Sequence, residues 1–193
     1  MASRRQEILE ALARELEANP GARITTARLA DAVGISEAAL YRHFPSKARM
    51  FEGLIEFAEN VVFGRINQIM EENRQTSDRC ARVLYLLLGF AERNPGLVRI
   101  LLGEALTGEH PRLHERSGAY FERLQTQFRQ ILREAALRKD VVLRASPEAG
   151  ARLLTVQVEG RMHQYLRSRF QERPLADWEA DWRQLQAALF LGD

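Results

Sequence analysis

At 193 residues, with 46% hydrophobic and 28% charged residues, the chain is long enough for a sizeable core and too apolar to be disordered. A formal charge of only +2 confines any nucleic-acid surface to a local patch, and the single cysteine, Cys80, excludes a disulfide framework and a CxxC metal site. No apolar run reaches membrane-spanning length, and the opening MASRRQEILEAL turns directly into an amphipathic pattern, so a cytoplasmic protein is the simplest reading.

Almost every segment between breakers has helical period, and no strand or hairpin signal stands out, which predicts an all-α fold. A first helix starts after Ser3, carries Ile8, Leu9, Leu12 and Leu16 on one face, and ends before Pro20 and Gly21. A second starts at Thr25 or Thr26 and runs to Val33, where Gly34 allows a tight turn. Ser36 caps a third, closed by Pro45, and Ser46 caps a long fourth from Lys47 to about Asn73. The next segment, RVLYLLLGFAER, is apolar nearly all round and reads as a buried helix ended by Asn94–Pro95–Gly96. A short helix follows over Leu97–Leu106, then a long one from Leu113 to Arg138. The polar RKDVVLRASPE reads as a connection, with Ser146 capping and Pro147 opening the first of two final helices. These carry Tyr165 and Phe170, then Trp178 and Trp182, and are read as an isologous dimer interface rich in those aromatics.

Thr25 to Phe44 has helix–turn–helix spacing. Ala30 is small enough for close helix approach, Gly34 makes the turn, and Ile35 and Leu40 point inward. Ser36, Glu37, Ala38, Ala39, Arg42 and His43 then face outward. Small residues at the start of such a helix let its backbone enter a major groove about 12 Å wide, and an alanine methyl can meet a thymine methyl. Tyr41, His43 and Lys47 are placed to reach flanking phosphates, with amides at Thr26 and Lys47 adding anion sites. The competing reading is a bare helical hairpin in which Arg42 and His43 are merely solvated.

The stretch ISEAALYRHFPSKARMF resembles the DNA-binding segment of TetR-type transcriptional regulators. That resemblance implies a nine-helix all-α fold and a homodimer on palindromic DNA, joined through the two C-terminal helices. It divides the chain into a DNA-binding domain, residues 1–47, and a C-terminal dimerisation and partner-binding domain, residues 48–193. It also implies DNA-facing roles for Thr25, Thr26, Ser36, Glu37, Ala38, Ala39, Tyr41, Arg42, His43 and Lys47, with Phe44 in the core. The further segments LIEFAE, RIN, LLLGFAERNPGLVRIL and RSRFQERP are similar to the nucleoid occlusion branch of that family. Members of that branch bind the C-terminal tail of the division GTPase FtsZ while on DNA, and antagonise Z-ring assembly over the nucleoid. The implied protein needs no cofactor and no small-molecule effector.

The residues supply a matching surface. Phe57 lies on the flank of the fourth helix, where a neighbouring helix could equally cover it, and Arg65 falls within its apolar arc, where snorkelling competes with an anionic partner. Gly89 interrupts a buried helix at a cost of about 1 kcal/mol relative to Ala, which a close helix crossing explains most often and a floor for a bound peptide also explains. Arg93 and Asn94 end that helix with hydrogen-bonding groups free. A groove floored by Leu86 and Gly89 and rimmed by Arg65, Arg93 and Asn94, with Phe57 on its flank, would suit a short acidic and apolar tail.

Other constellations carry less. His110 and His114 are four apart, but Pro111 between them marks a helix start and no third metal ligand is patterned nearby. Glu159, Arg161 and His163 could line an effector pocket, yet Glu159 and Arg161 equally suit a polar dimer rim. Cys80 has no activating neighbour and reads as inert packing. No phosphate loop or nucleophile–base arrangement is evident, so no enzyme is predicted. The main rival is a ligand-responsive TetR-type repressor with an apolar effector cavity. A helical protein–protein module without DNA function is the more distant one.

Overall fold

The computed structural model describes residues 3–191, and all statements of structure concern these. They form nine α-helices: α1 Arg4–Ala18, α2 Thr26–Val33, α3 Glu37–His43, α4 Lys47–Glu72, α5 Thr76–Arg93, α6 Pro95–Leu101, α7 Pro111–Arg138, α8 Pro147–Arg167 and α9 Trp178–Leu189. The caps do what the sequence predicts. The hydroxyls of Ser3, Thr25, Ser36 and Ser146 each accept a hydrogen bond from a first-turn amide of α1, α2, α3 and α8. Gly34 closes α2 in the left-handed conformation, φ 73°, and its amide donates back to Ala30 and Asp31.

Two segments depart from the sequence-based expectation. The helix read over Leu97–Leu106 stops at Leu101, because Gly103 turns left-handed (φ 80°) and a 3-10 turn, Glu104–Leu106, follows. The connection before α8 also holds a short strand, β1 (Val142–Leu143), which pairs antiparallel with β2 (Phe190–Leu191). Two residues are too few to show a strand period, so neither half is visible in the sequence.

The chain divides into two compact units. One comprises the chain up to Asn60 together with Arg93–Gly118, and the other comprises Val61–Glu92 together with the chain from Ala119 onward. In the first, Ile8, Leu12, Leu16, Leu29, Leu40, Phe44, Met50 and Phe51 are buried. Helix α6 lies against α1 so closely that a Cβ on Gly96 would fall 2.3 Å from the carbonyl oxygen of Ala13. Only glycine fits there, so Gly96 does more than end the preceding helix. Arg99 fixes the same contact. Buried to 1% exposure, it donates to the carbonyls of Leu16, Asn19 and Ala22 and forks onto Glu104. It thereby satisfies acceptors left over where α1 ends.

The second unit is built on Cys80, Val83, Leu84, Leu87 and Leu88 of α5, Leu124, Phe128, Ile131 and Leu132 of α7, and Leu154, Val158 and Met162 of α8. Arg79 is buried here and donates to the carbonyls of Met70 and Asn73 and to Glu134. Asp140 receives the Thr76 amide and hydroxyl. Cys80 is buried, and the loss of solvent pushes its thiol pKa up to about 12. No described helix is long and apolar enough to cross a membrane.

Candidate nucleic-acid interface and partner-binding positions

Helices α2 and α3 are joined by a polar chain across their exposed side. The Thr26 hydroxyl donates to Glu37 Oε2 at 2.6 Å, and the Tyr41 hydroxyl lies 3.5 Å from Thr26 Oγ1. Glu37 and Tyr41 are thus held in place before any ligand arrives, while Ala38 and Arg42 stand exposed between them. Thr25 and Ser36 spend their oxygens on the amides of Arg28 and Ala39, so their first task is capping. Ala39 and His43 are half-buried, as is Ile35. Phe44 is in the core, and Leu40 is fully enclosed.

Two contacts at this surface escaped sequence reasoning. Arg5 of α1 stacks over the Phe44 ring, 4.1 Å from its centroid, and donates to the His43 carbonyl at the end of α3. A cation–π contact of this kind contributes about 0.5–1 kcal/mol at an exposed site. Lys47, read as a free phosphate ligand, is 2.6 Å from Glu109 and 5.4 Å from the centre of the Phe51 ring. Glu109 lies 62 positions away, so no local pattern could reveal it.

The six positions assigned to a partner are divided equally: Phe57, Arg93 and Asn94 belong to the first compact unit, and Arg65, Leu86 and Gly89 to the second. Phe57 is 38% exposed, as its place on the flank of α4 predicts. Arg93 is exposed, and Leu86 is half-buried. Gly89 is buried. Three expectations change. Arg65 lies outside the buried stripe of Val62, Phe63, Ile66 and Ile69, and its exposed side chain donates to Gln68. Asn94 is not free, being already engaged within the chain and accepting the Leu97 amide on its carbonyl. Of the aromatics expected at a dimer face, one is enclosed and Phe170, Trp178 and Trp182 are half-buried. Tyr165 is buried and meets Phe170 ring to ring at 5.1 Å, while Trp178 packs between Trp182 and Tyr85 at 6.0 and 5.3 Å. The apolar side chains left exposed on α8 are Leu153 and Val156.

Three of the remaining candidates have structural partners. His110 accepts the Arg112 amide at the start of α7, and His114 meets the Leu106 carbonyl at 3.1 Å. Arg161 donates to the carbonyls of Pro174 and Ala176 and pairs with Asp181. Among the described residues no group of three side chains could hold a metal ion.

Comparison with known proteins divides the chain differently from the two compact units, since one match runs unbroken through Arg93–Gly118. Residues 8–54 match the family described as bacterial regulatory proteins, tetR family. Residues 74–190 match the SlmA-like family described as Tetracyclin repressor-like, C-terminal domain. The nucleoid occlusion factor SlmA of Shewanella amazonensis is 54% identical over 187 residues, covering 97% of this chain and 95% of the relative. Its counterpart in Alteromonas mediterranea is 52% identical over 180 residues, covering 93% and 92%. Among solved structures, the regulator FadR from Bacillus subtilis in complex with stearoyl-CoA aligns with a TM-score of 0.80 at 12% identity, covering 94% of this chain and 97% of that one. The MbdR regulator from Azoarcus sp. CIB aligns with a TM-score of 0.81 at 16% identity, covering 98% and 100%. Likeness at such low identity is likeness of fold.

Proposed function

The chain belongs to the TetR family of bacterial regulatory proteins, and from that premise we propose that it is a nucleoid occlusion factor. It binds palindromic chromosomal DNA as a homodimer and, while bound, holds the C-terminal tail of FtsZ and opposes Z-ring assembly over the nucleoid. The observation that carries this reading is the 54% identity over 97% of the chain, which extends through the whole C-terminal region. Ligand-responsive members of the family diverge in that region.

In this reading α3 enters the major groove, with Ala38 offering close approach and Arg42 reaching the bases or backbone. Two copies of α3 stand about 34–36 Å apart, one helical turn of DNA. Leu153 and Val156 of α8 meet their equivalents in the second copy. Phe57, Arg65, Leu86, Gly89, Arg93 and Asn94 are assigned to the FtsZ tail, the arginines facing its acidic groups and Phe57 its apolar ones.

The test is fluorescence anisotropy of a labelled FtsZ C-terminal tail peptide titrated with the protein, with and without palindromic duplex. Saturable binding that Phe57→Ala or Arg93→Ala reduces at least tenfold, with DNA affinity retained, supports the reading. Binding untouched by both variants removes these positions from the partner site. No binding with or without DNA favours a ligand-responsive repressor.

A further inference from the structure

Lys47 is claimed twice. Its place after α3 and at the head of α4 suits a DNA phosphate, yet its ammonium already lies 2.6 Å from Glu109 Oε1. Glu109 is no loose surface acid. Its side chain is only 10% exposed, and its amide donates to the Leu106 carbonyl at 2.9 Å. The next residue, His110, caps the start of α7 through Arg112, so the turn carrying the carboxylate is fixed at both ends. Arg23 Nε approaches the same oxygen at 3.8 Å. A carboxylate so far removed from water is costly without a cation and holds the one it has.

We propose that Glu109 is an internal phosphate mimic: it occupies Lys47 in the DNA-free protein, and every duplex must displace it or share the ammonium with it. The competition is with the DNA backbone, not with bases. It therefore weakens binding to all sequences alike and keeps the protein from being held by unspecific DNA. Because Glu109 lies in the turn between α6 and α7, the strength of this competition follows the position of that turn. The proposal rests on the DNA-binding reading above and adds a residue to it.

The probes are a palindromic duplex retained by the wild-type protein from a random pool and a scrambled duplex of the same length, each titrated across a salt series. Glu109→Gln should bind both duplexes about fivefold more tightly, and its plot of log affinity against log salt should steepen by about one phosphate contact. In a Lys47→Met background the same change should leave the slope unaltered. Glu109→Asp keeps the charge but withdraws it by a methylene, and should show a smaller gain in the same direction. Weaker binding by Glu109→Gln would overturn the proposal, since the carboxylate would then be positioning Lys47 for DNA. Unchanged affinity and slope would overturn it too, as would steepening that persists without Lys47. If Glu109→Gln does not fold, a folded Glu109→Asp with no gain counts against it equally. A wild-type protein that retains no duplex from the pool is a separate outcome, and overturns the DNA-binding reading itself.

Discussion

Each compact unit closes a helix C-terminus with a buried arginine, and the two are used differently. In the first, Arg99 reaches the carbonyls of Leu16, Asn19 and Ala22 across 77 to 83 positions of sequence and forks onto Glu104. In the second, Arg79 reaches Met70 and Asn73 from only nine and six positions away and takes Glu134 as its counter-ion. The chemistry is shared: a guanidinium fork placed at the negative end of a helix, where carbonyls have no amide to accept. What differs is what each fork ties together. Arg99 joins α6 to the end of α1 and the turn after it, so it is a tertiary staple. Arg79 shapes the turn between α4 and α5, so it is a local clip.

That contrast can be broken by measurement. Arg99→Ala leaves three carbonyls and Glu104 without their partner, and should cost about 3–5 kcal/mol, lowering the melting temperature by about 10 °C. Arg99→Lys keeps the charge but not the fork, and should recover little of this. Arg79→Ala should cost less, about 2–3 kcal/mol, since its acceptors lie in a turn that water can reach after a small opening. Equal losses by thermal melting would show that sequence separation is irrelevant and only hydrogen bonds count. The smallest effect is expected at Cys80, the neighbour of Arg79. With its pKa raised to about 12, only about one thiol in ten thousand is ionised at pH 8, so an aromatic disulfide reagent should label it far more slowly than a free cysteine. The rate should climb as pH rises, and Arg79→Ala should raise it several-fold at fixed pH. A wild-type thiol that reacts like a free one would mean that this part of α5 opens readily, and the clip would then be no clip at all.

The fold was legible where its determinants are local. Ser3, Thr25, Ser36 and Ser146 announce helix starts through residues three positions away, and Gly34 announces a turn through its own backbone. The turn between α2 and α3 was legible for the same reason, since the two helices are short and consecutive. Partners distant in sequence were not legible. Nothing around Lys47 points to Glu109, and nothing in PGLVRIL distinguishes Arg99 from a solvated charge. Periodicity shows that Tyr165 and Trp178 lie on apolar faces, but not whether the cover comes from the same chain. Here much of it does, from Phe170, Trp182 and Tyr85. Arg65 misled because an apolar arc drawn from sequence is wider than the stripe that is buried.

The pairing of Val142 with Leu191 and of Leu143 with Phe190 has a consequence for the order in which the molecule is made. The two strands are separated by about fifty positions, and closing so long a segment carries an entropic cost that only neighbouring contacts can offset. Synthesis proceeds from the N-terminus, so β1 emerges with α8 and α9 still to come, and waits for a partner about fifty residues further on. The α1–α3 head needs nothing from that end of the chain and can mature early. The ladder therefore forms only after α8 and α9 are made, and a chain stalled between Gly118 and Phe190 would have its first unit complete but its second without the closing pair.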